Sequence, residues 1–207
     1  MARTYAYSAD FDKEVENLFR EAEFLGEGHN GIVYEVPGNK ALKIFLEKKI
    51  CKEEADILER VRKSKYFPKI YKRGDYYILR EKVGGTRLDH YIEQYGLTEK
   101  LSYNLYKLLK EFEKLKFTKL DIRCRDVYVE QNESVMVIDP KQCYKRKVSY
   151  PRHLMKGLKG INVLNQFLFY VEGFDEKTAL EWEKKIKQYY YKQNSREIVW
   201  PIMNKNV

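Results

Sequence analysis

The apolar positions of this chain fall into two regimes. In residues 11–24, FDKEVENLFREAEF, the residues Phe11, Val15, Leu18, Phe19 and Ala22 share one helical face, which predicts a short amphipathic helix with Asp10 as its cap. The runs EFLGEG, GIVYEV and KALKIFL then read as strands, and PGNK between the last two has the composition of a hairpin turn. Residues 47–63 return to helical spacing through Ile50, Ala55 or Glu54, Ile57, Leu58 and Val61. KIYKRGDYYILREKV reads as two further strands around an RGD turn. Residues 1–83 therefore predict a five-stranded antiparallel sheet with one helix after its third strand.

Gly84 and Gly85 punctuate the chain, and from about residue 86 the period turns helical. RLDHYIEQYG predicts a short helix. LTEKLSYNLYKLLKEFEKLK predicts a long one, with Leu101, Leu105, Leu108, Phe112 and Leu115 as its stripe. VYVE, QNES and VMVIDP read as a small hairpin. Two tail helices follow, INVLNQFLFYV and EKTALEWEKKIKQYYY, the second capped by Asp175. The expectation is an α+β fold of two lobes: a sheet-rich half over residues 1–83 and a reduced, mostly helical half over 84–207, joined by a short hinge.

Composition narrows the function without naming it. The 207 residues are 34% charged, with a net charge of +9, and no apolar run approaches the roughly 18–20 residues that cross a bilayer. The first residues, MARTYAYSADFDKE, lack the apolar stretch of a secretory signal, so cytoplasmic residence and no membrane partner are expected. Cys51, Cys124 and Cys143 are odd in number and show no CxxC spacing; His29, His90 and His153 are scattered. A basic pI near 9.2 points to anionic partners or to a solvated lysine-rich surface.

Chemistry enters with GEGHNGIVY. Gly26, Gly28 and Gly31 allow a tight hairpin whose backbone can approach an anion. A strand, IVYEV, follows instead of the helix that a dinucleotide-binding loop requires, and Val33 stands two positions after the last glycine. Lys43, in ALKIF after Ala41, is a lysine inside an apolar strand and needs a counter-charge. KEEADILERV offers Glu53 and Glu54; Glu54 is favoured because Ile57, Leu58 and Val61 then fall at i+3, i+4 and i+7. Downstream, KLDIRCRDVYVEQNESVMVIDP spaces Asp121, Asp126, a hairpin and Asp139.

In that order, these motifs resemble the protein-kinase-like superfamily over about residues 24–140. The resemblance implies ATP between the lobes, covered by the glycine hairpin, with the hinge backbone near Glu81, Lys82 and Val83 reading the adenine edge. It implies Lys43 on the phosphates, Asp121 on the acceptor hydroxyl, Arg123 beside the transferring phosphate, and Asp126 and Asp139 as Mg²⁺ ligands. The pattern also departs from the family. The His-Arg-Asp triplet reads Lys119-Leu120-Asp121, the loop asparagine is Asp126, Arg123 replaces a lysine, and Asp-Phe-Gly reads Asp139-Pro140-Lys141. No Ala-Pro-Glu occurs in the short remainder, residues 141–207, so the peptide-docking platform is expected to be reduced.

The expected activity is ATP- and Mg²⁺-dependent transfer to a protein serine or threonine. The alternatives are a small-molecule kinase of the same fold and a silent nucleotide-binding adaptor. The basic stretch KQCYKRKVSYPRHLMKGLKG, with Lys141, Lys145, Arg146, Lys147, Arg152, Lys156 and Lys159, falls beside the acceptor and reads as a loop facing either an anionic partner or solvent. The tyrosines of QYYYKQ fit base stacking on nucleic acid less well than the packed face of a C-terminal helix.

Overall fold

The computed structural model describes residues 10–140 and 142–197. Five antiparallel strands form the first sheet: β1 (Glu23–Gly28), β2 (Gly31–Val36), β3 (Lys40–Phe45), β4 (Ile70–Arg73) and β5 (Tyr77–Glu81), in the order β1-β2-β3-β5-β4. Pairing alternates Cβ directions, so each strand feeds two faces. One face, with Val36, Leu42, Ile44, Tyr77 and Leu79, is covered by α1 (Lys13–Arg20) through Val15 and a ring of aromatics at Phe11, Phe19 and Tyr34. The cap of α1 is Asp12, not Asp10 as expected. Its carboxylate accepts from the backbone of Glu14 and Val15, and the same side chain pairs with Lys72 of β4, which fixes the helix start two residues later.

The other face of the sheet, with Phe45 and Ile78, meets α2 (Lys48–Arg60) and runs without a break into the core of the second half. α2 buries Cys51, Glu54, Ala55 and Leu58. After the hinge, β6 (Thr86–Arg87) pairs with β7 (Val127–Val129), which pairs with β8 (Val135–Val137). The two-residue β6 was not predicted, because two residues carry no period. The helices α3 (Leu88–Tyr95) and α4 (Glu99–Lys114) stand where the pattern places them, and Leu101, Leu105, Leu108 and Phe112 of α4 are buried.

The tail holds three helices instead of two: α5 (Arg152–Gly160), α6 (Leu164–Phe174) and α7 (Glu176–Glu197). α5 lies within the stretch expected to be a basic loop. Its lysines mask a short apolar set, Leu154, Met155 and Leu158, all buried. Gly157 lets α5 sit against the turn that carries Asp126: a Cβ there would come within 2.4 Å of Cys124 Sγ.

Asp175 caps α7 as the sequence predicts, accepting from Thr178 N at 3.0 Å and Thr178 Oγ1 at 2.6 Å. It also accepts from Tyr106 Oη of α4 at 2.9 Å, so one carboxylate joins two helices. Asp175→Ala is expected to cost about 1–2 kcal/mol, read as a melting temperature lower by roughly 2–8 °C. The hydrogen bonds from Thr178, above all from its hydroxyl, hold this carboxyl well below the usual carboxylate range. A depressed folded pKa contributes stability above the unfolded value and loses it as the pH falls. The gap between wild type and variant therefore narrows below about pH 4, which melts at pH 7 and pH 3 check.

Candidate active site

The glycine hairpin, β3, the hinge and the residues after β8 enclose a cavity of about 390 Å³. Gly26, Gly28, Gly31, Val33, Ala41, Lys43, Val83 and Asp139 all line it, so residues far apart in the chain converge on one cleft. Arg80, Tyr128 and Ile138 line it as well and were not foreseen. Glu81 turns its carboxylate away to accept from Lys69 N at 3.1 Å.

Lys43 needs its counter-charge and has it. Strand pairing sets Lys43 opposite Val33 and Ile78, with its ammonium off the sheet toward α2. There Nζ donates to both oxygens of Glu54, at 2.8 and 2.6 Å, with the two side chains only 10% and 4% exposed. Burial pushes the Glu54 carboxyl up, against the pull of Lys43. Asp139 adds to the upward push, and Arg80 opposes it. Lys43, Arg80 and Asp139 line the cavity, and Glu54 lies behind Lys43. Glu53, the rejected alternative, pairs instead with Lys145 at 2.6 Å.

The three glycines divide by physics. At Gly31, φ is +153° and a Cβ would lie 1.9 Å from the carbonyl oxygen of Ile44, so the β2–β3 pairing requires the missing side chain. At Gly26 and Gly28 a Cβ would meet nothing within 4 Å. Packing does not demand glycine there, and the space a side chain would take is the cleft itself. Gly31→Ala is expected to destabilise the fold by roughly 1–3 kcal/mol. Gly28→Ala is expected to leave the melting temperature within about 2 °C while narrowing the cleft for any ligand. Paired melts and titrations check the split.

Asp121 is 3% exposed, and both its oxygens are taken by one residue. Oδ1 accepts from His153 N at 2.8 Å, and Oδ2 contacts His153 Nδ1. His153 stands in the first turn of α5, where amide groups and the helix dipole favour an anion. No sequence signal marks this pair, which is 32 residues apart. Asp126 lies in the turn after Arg123, and its carbonyl accepts from Ile138 N at 3.1 Å, which ties it to the residue preceding Asp139. Arg123 lines a second cavity of about 640 Å³ with Glu54, Arg125 and Pro140, on the other side of the glycine hairpin's tip. That wall is mixed in charge, from Glu47, Glu53 and Asp56 to Arg125 and Lys145.

Among the described residues, no group of three or more His, Cys, Asp or Glu is placed to hold a metal ion unaided. Two carboxylates completed by phosphate oxygens form a donor set that suits Mg²⁺, a hard cation that keeps several non-protein ligands. Burial pushes the Cys51 and Cys124 thiols up to about 12 and Cys143 up to about 11, which disfavours their thiolates. Among the described residues no helix is long and apolar enough to cross a membrane.

The basic stretch lays part of its charge on aromatic rings. Lys159 lies over the Tyr190 ring at 3.6 Å and Arg152 over Tyr189 at 5.6 Å, so these tyrosines of α7 pack against α5. Lys141 lies outside the described residues.

The strand order, the helix between β3 and β4 that supplies Glu54, the hinge, and the loop, hairpin and aspartate in sequence give this chain a two-lobed, protein-kinase-like α+β fold. No family model matches it. A Bacillus subtilis (strain 168) protein named "Putative serine/threonine-protein kinase YrzF" is 26% identical to it over 141 residues. That match takes in 65% of this chain and 65% of the other's length, just under two thirds of each. A crystal structure of Rad53 1-466 in complex with AMP-PNP aligns at 18% identity with a TM-score of 0.44, covering 58% of this chain and 38% of that one.

Proposed function

We propose that this chain is a Mg²⁺-dependent phosphotransferase that moves the γ-phosphoryl group of a nucleoside triphosphate, ATP among them, onto a protein hydroxyl. The observation that carries the reading is the Lys43 ammonium, held by buried Glu54, which opens with Asp139 onto one cavity beneath a glycine hairpin. Glu54 holds the ammonium at a fixed point, where Lys43 binds phosphate oxygens without reorganising. Val33 and Ala41 above and Tyr128 below give a flat base its apolar walls. Asp126 and Asp139 would hold Mg²⁺, which supplies neutralisation of phosphate charge. The acceptor oxygen bonds to the γ-phosphorus as the bond to the β–γ bridging oxygen breaks. The hydroxyl proton passes to Asp121, and Arg123 offsets charge on the acceptor side. The Bacillus relative's name supports a serine or threonine as acceptor.

One observation favours a second reading, a nucleotide-binding adaptor without turnover: Asp121 has no open oxygen while α5 sits on it. Incubating the purified chain with Mg²⁺ and γ-labelled ATP, alone and with a generic protein, separates the two. Label is expected on protein, lost with excess EDTA and regained with Mg²⁺. Nucleotide binding with no label transferred supports the adaptor. ATP consumed only when metabolites are added supports a small-molecule acceptor.

A further inference from the structure

The Asp121 side chain is wholly buried, and both of its oxygens are taken by His153. A group that takes a proton works within hydrogen-bond reach of the group that gives it. For a hydroxyl to touch Asp121, the first turn of α5 would have to lift away. That helix is fastened by buried Leu154, Met155 and Leu158 and by the close seat of Gly157 on Cys124. The accessible member of the pair is the histidine, whose side chain is 35% exposed.

The pairing also sorts the two ring nitrogens. An ionised carboxylate only accepts, so Nδ1 carries the ring proton toward Asp121 and Nε2 keeps a bare lone pair. Nε2 has no hydrogen-bond partner among the described residues, and it is not closed off from solvent. The pair is fixed to the wall of the acceptor-side cavity. Arg123, two residues after Asp121, lines that cavity together with Pro140, and Pro140 borders a small internal space with Asp121. The same cavity shares His29 and Asn30 of the glycine hairpin with the cleft that holds Lys43.

We infer, resting on the phosphotransfer reading above, that His153 is a catalytic residue: its Nε2 meets the acceptor hydroxyl, and Asp121 acts through it. As the acceptor oxygen bonds to the γ-phosphorus, the bond to the β–γ bridging oxygen breaks and its electron pair leaves with the nucleoside diphosphate. The hydroxyl proton moves to Nε2. The imidazolium so formed shares its Nδ1 proton with Asp121 Oδ2, whose charge steadies it. The closed carboxylate that suits a silent adaptor is then the inner half of a working dyad.

Single-turnover transfer from γ-labelled ATP to a generic protein tests this on the full chain, with His153→Ala and His153→Asn alongside. The asparagine amide can still donate to Asp121 but supplies no base, so it keeps α5 seated if the alanine variant does not fold. Both variants are expected to lose at least about 100-fold in transfer and to hold nucleotide affinity within about three-fold by calorimetry. Added imidazole is expected to restore at least about ten-fold of the loss in His153→Ala, or in His153→Asn if only that variant folds. A histidine that merely props Asp121 would give a loss that imidazole leaves where it was, and that result overturns the inference. Transfer unchanged or raised in either variant overturns it too, and a rise would make α5 a cover over Asp121. In each of these cases wild-type transfer stands. Wild type that binds Mg-ATP and transfers no label removes the phosphotransfer reading, and this inference with it.

Discussion

Replacing Lys43 by methionine is expected to lower phosphoryl transfer at least about 100-fold and to remove measurable nucleotide binding, with a distinct cost to the fold. The ammonium is the sole donor to both Glu54 oxygens among the bonds described, and that carboxylate is 4% exposed on its side chain. Breaking a buried pair by deleting one partner costs about 3–5 kcal/mol, which lowers the melting temperature by roughly 6–20 °C in a chain of this size. The sign of the pH dependence follows. Without Lys43 the upward push of burial and of Asp139 on the Glu54 carboxyl meets less resistance, so its folded pKa stands further above its unfolded value near 4.3. Stability from a raised carboxyl is fully present below the unfolded value and is lost as the pH rises through the folded one. The melting deficit of Lys43→Met should therefore be larger at pH 8 than at pH 5.5. Lys43→Met combined with Glu54→Leu should recover most of the stability and none of the transfer. A deficit indifferent to pH would mean that Glu54 finds water or another cation when its partner is gone.

What could be read in advance divides along physical lines. Lys43 and Glu54 were legible together because a charge inside an apolar strand demands an answer, and helical spacing in α2 decides which of two neighbouring glutamates faces inward. The glycine hairpin, β3 and α4 were legible because their periods run over six residues or more. β6 was not, since two residues define no period. α5 was hidden by composition: its three buried side chains sit among lysines and two glycines, and its stability comes from packing on the Cys124 turn. His153 was invisible for a different reason. Its meaning lies wholly in a contact with Asp121 made across the fold, and a lone histidine carries no local mark. Arg80 could have been noticed by the same logic as Lys43, a cation within YYILRE, and its buried Nε is what that signal was pointing to.

Asp121→Asn is expected to reduce phosphoryl transfer by about 10²–10⁴-fold while leaving nucleotide affinity within about three-fold, since Asp121 does not line the cavity that holds Lys43 and Asp139. The amide matches the carboxylate in shape, so α5 keeps its seat. Its carbonyl oxygen can still accept from His153 N, and its amide can donate to His153 Nδ1 in the other ring tautomer. What is lost is the charge: the attraction to the α5 N-terminus and the capacity to take a proton. The loss of charge costs roughly 1–2 kcal/mol, a melting shift of a few degrees. That shift alone would also follow if Asp121 were only the anchor of α5, so the rate decides between the roles. Single-turnover transfer measured at saturating nucleotide, beside calorimetry on the same preparation, gives both quantities. Transfer unchanged in Asp121→Asn, with the melting shift present, would leave this aspartate as the fastening of α5 and would move the search for the proton acceptor to other carboxylates, such as those lining the second cavity.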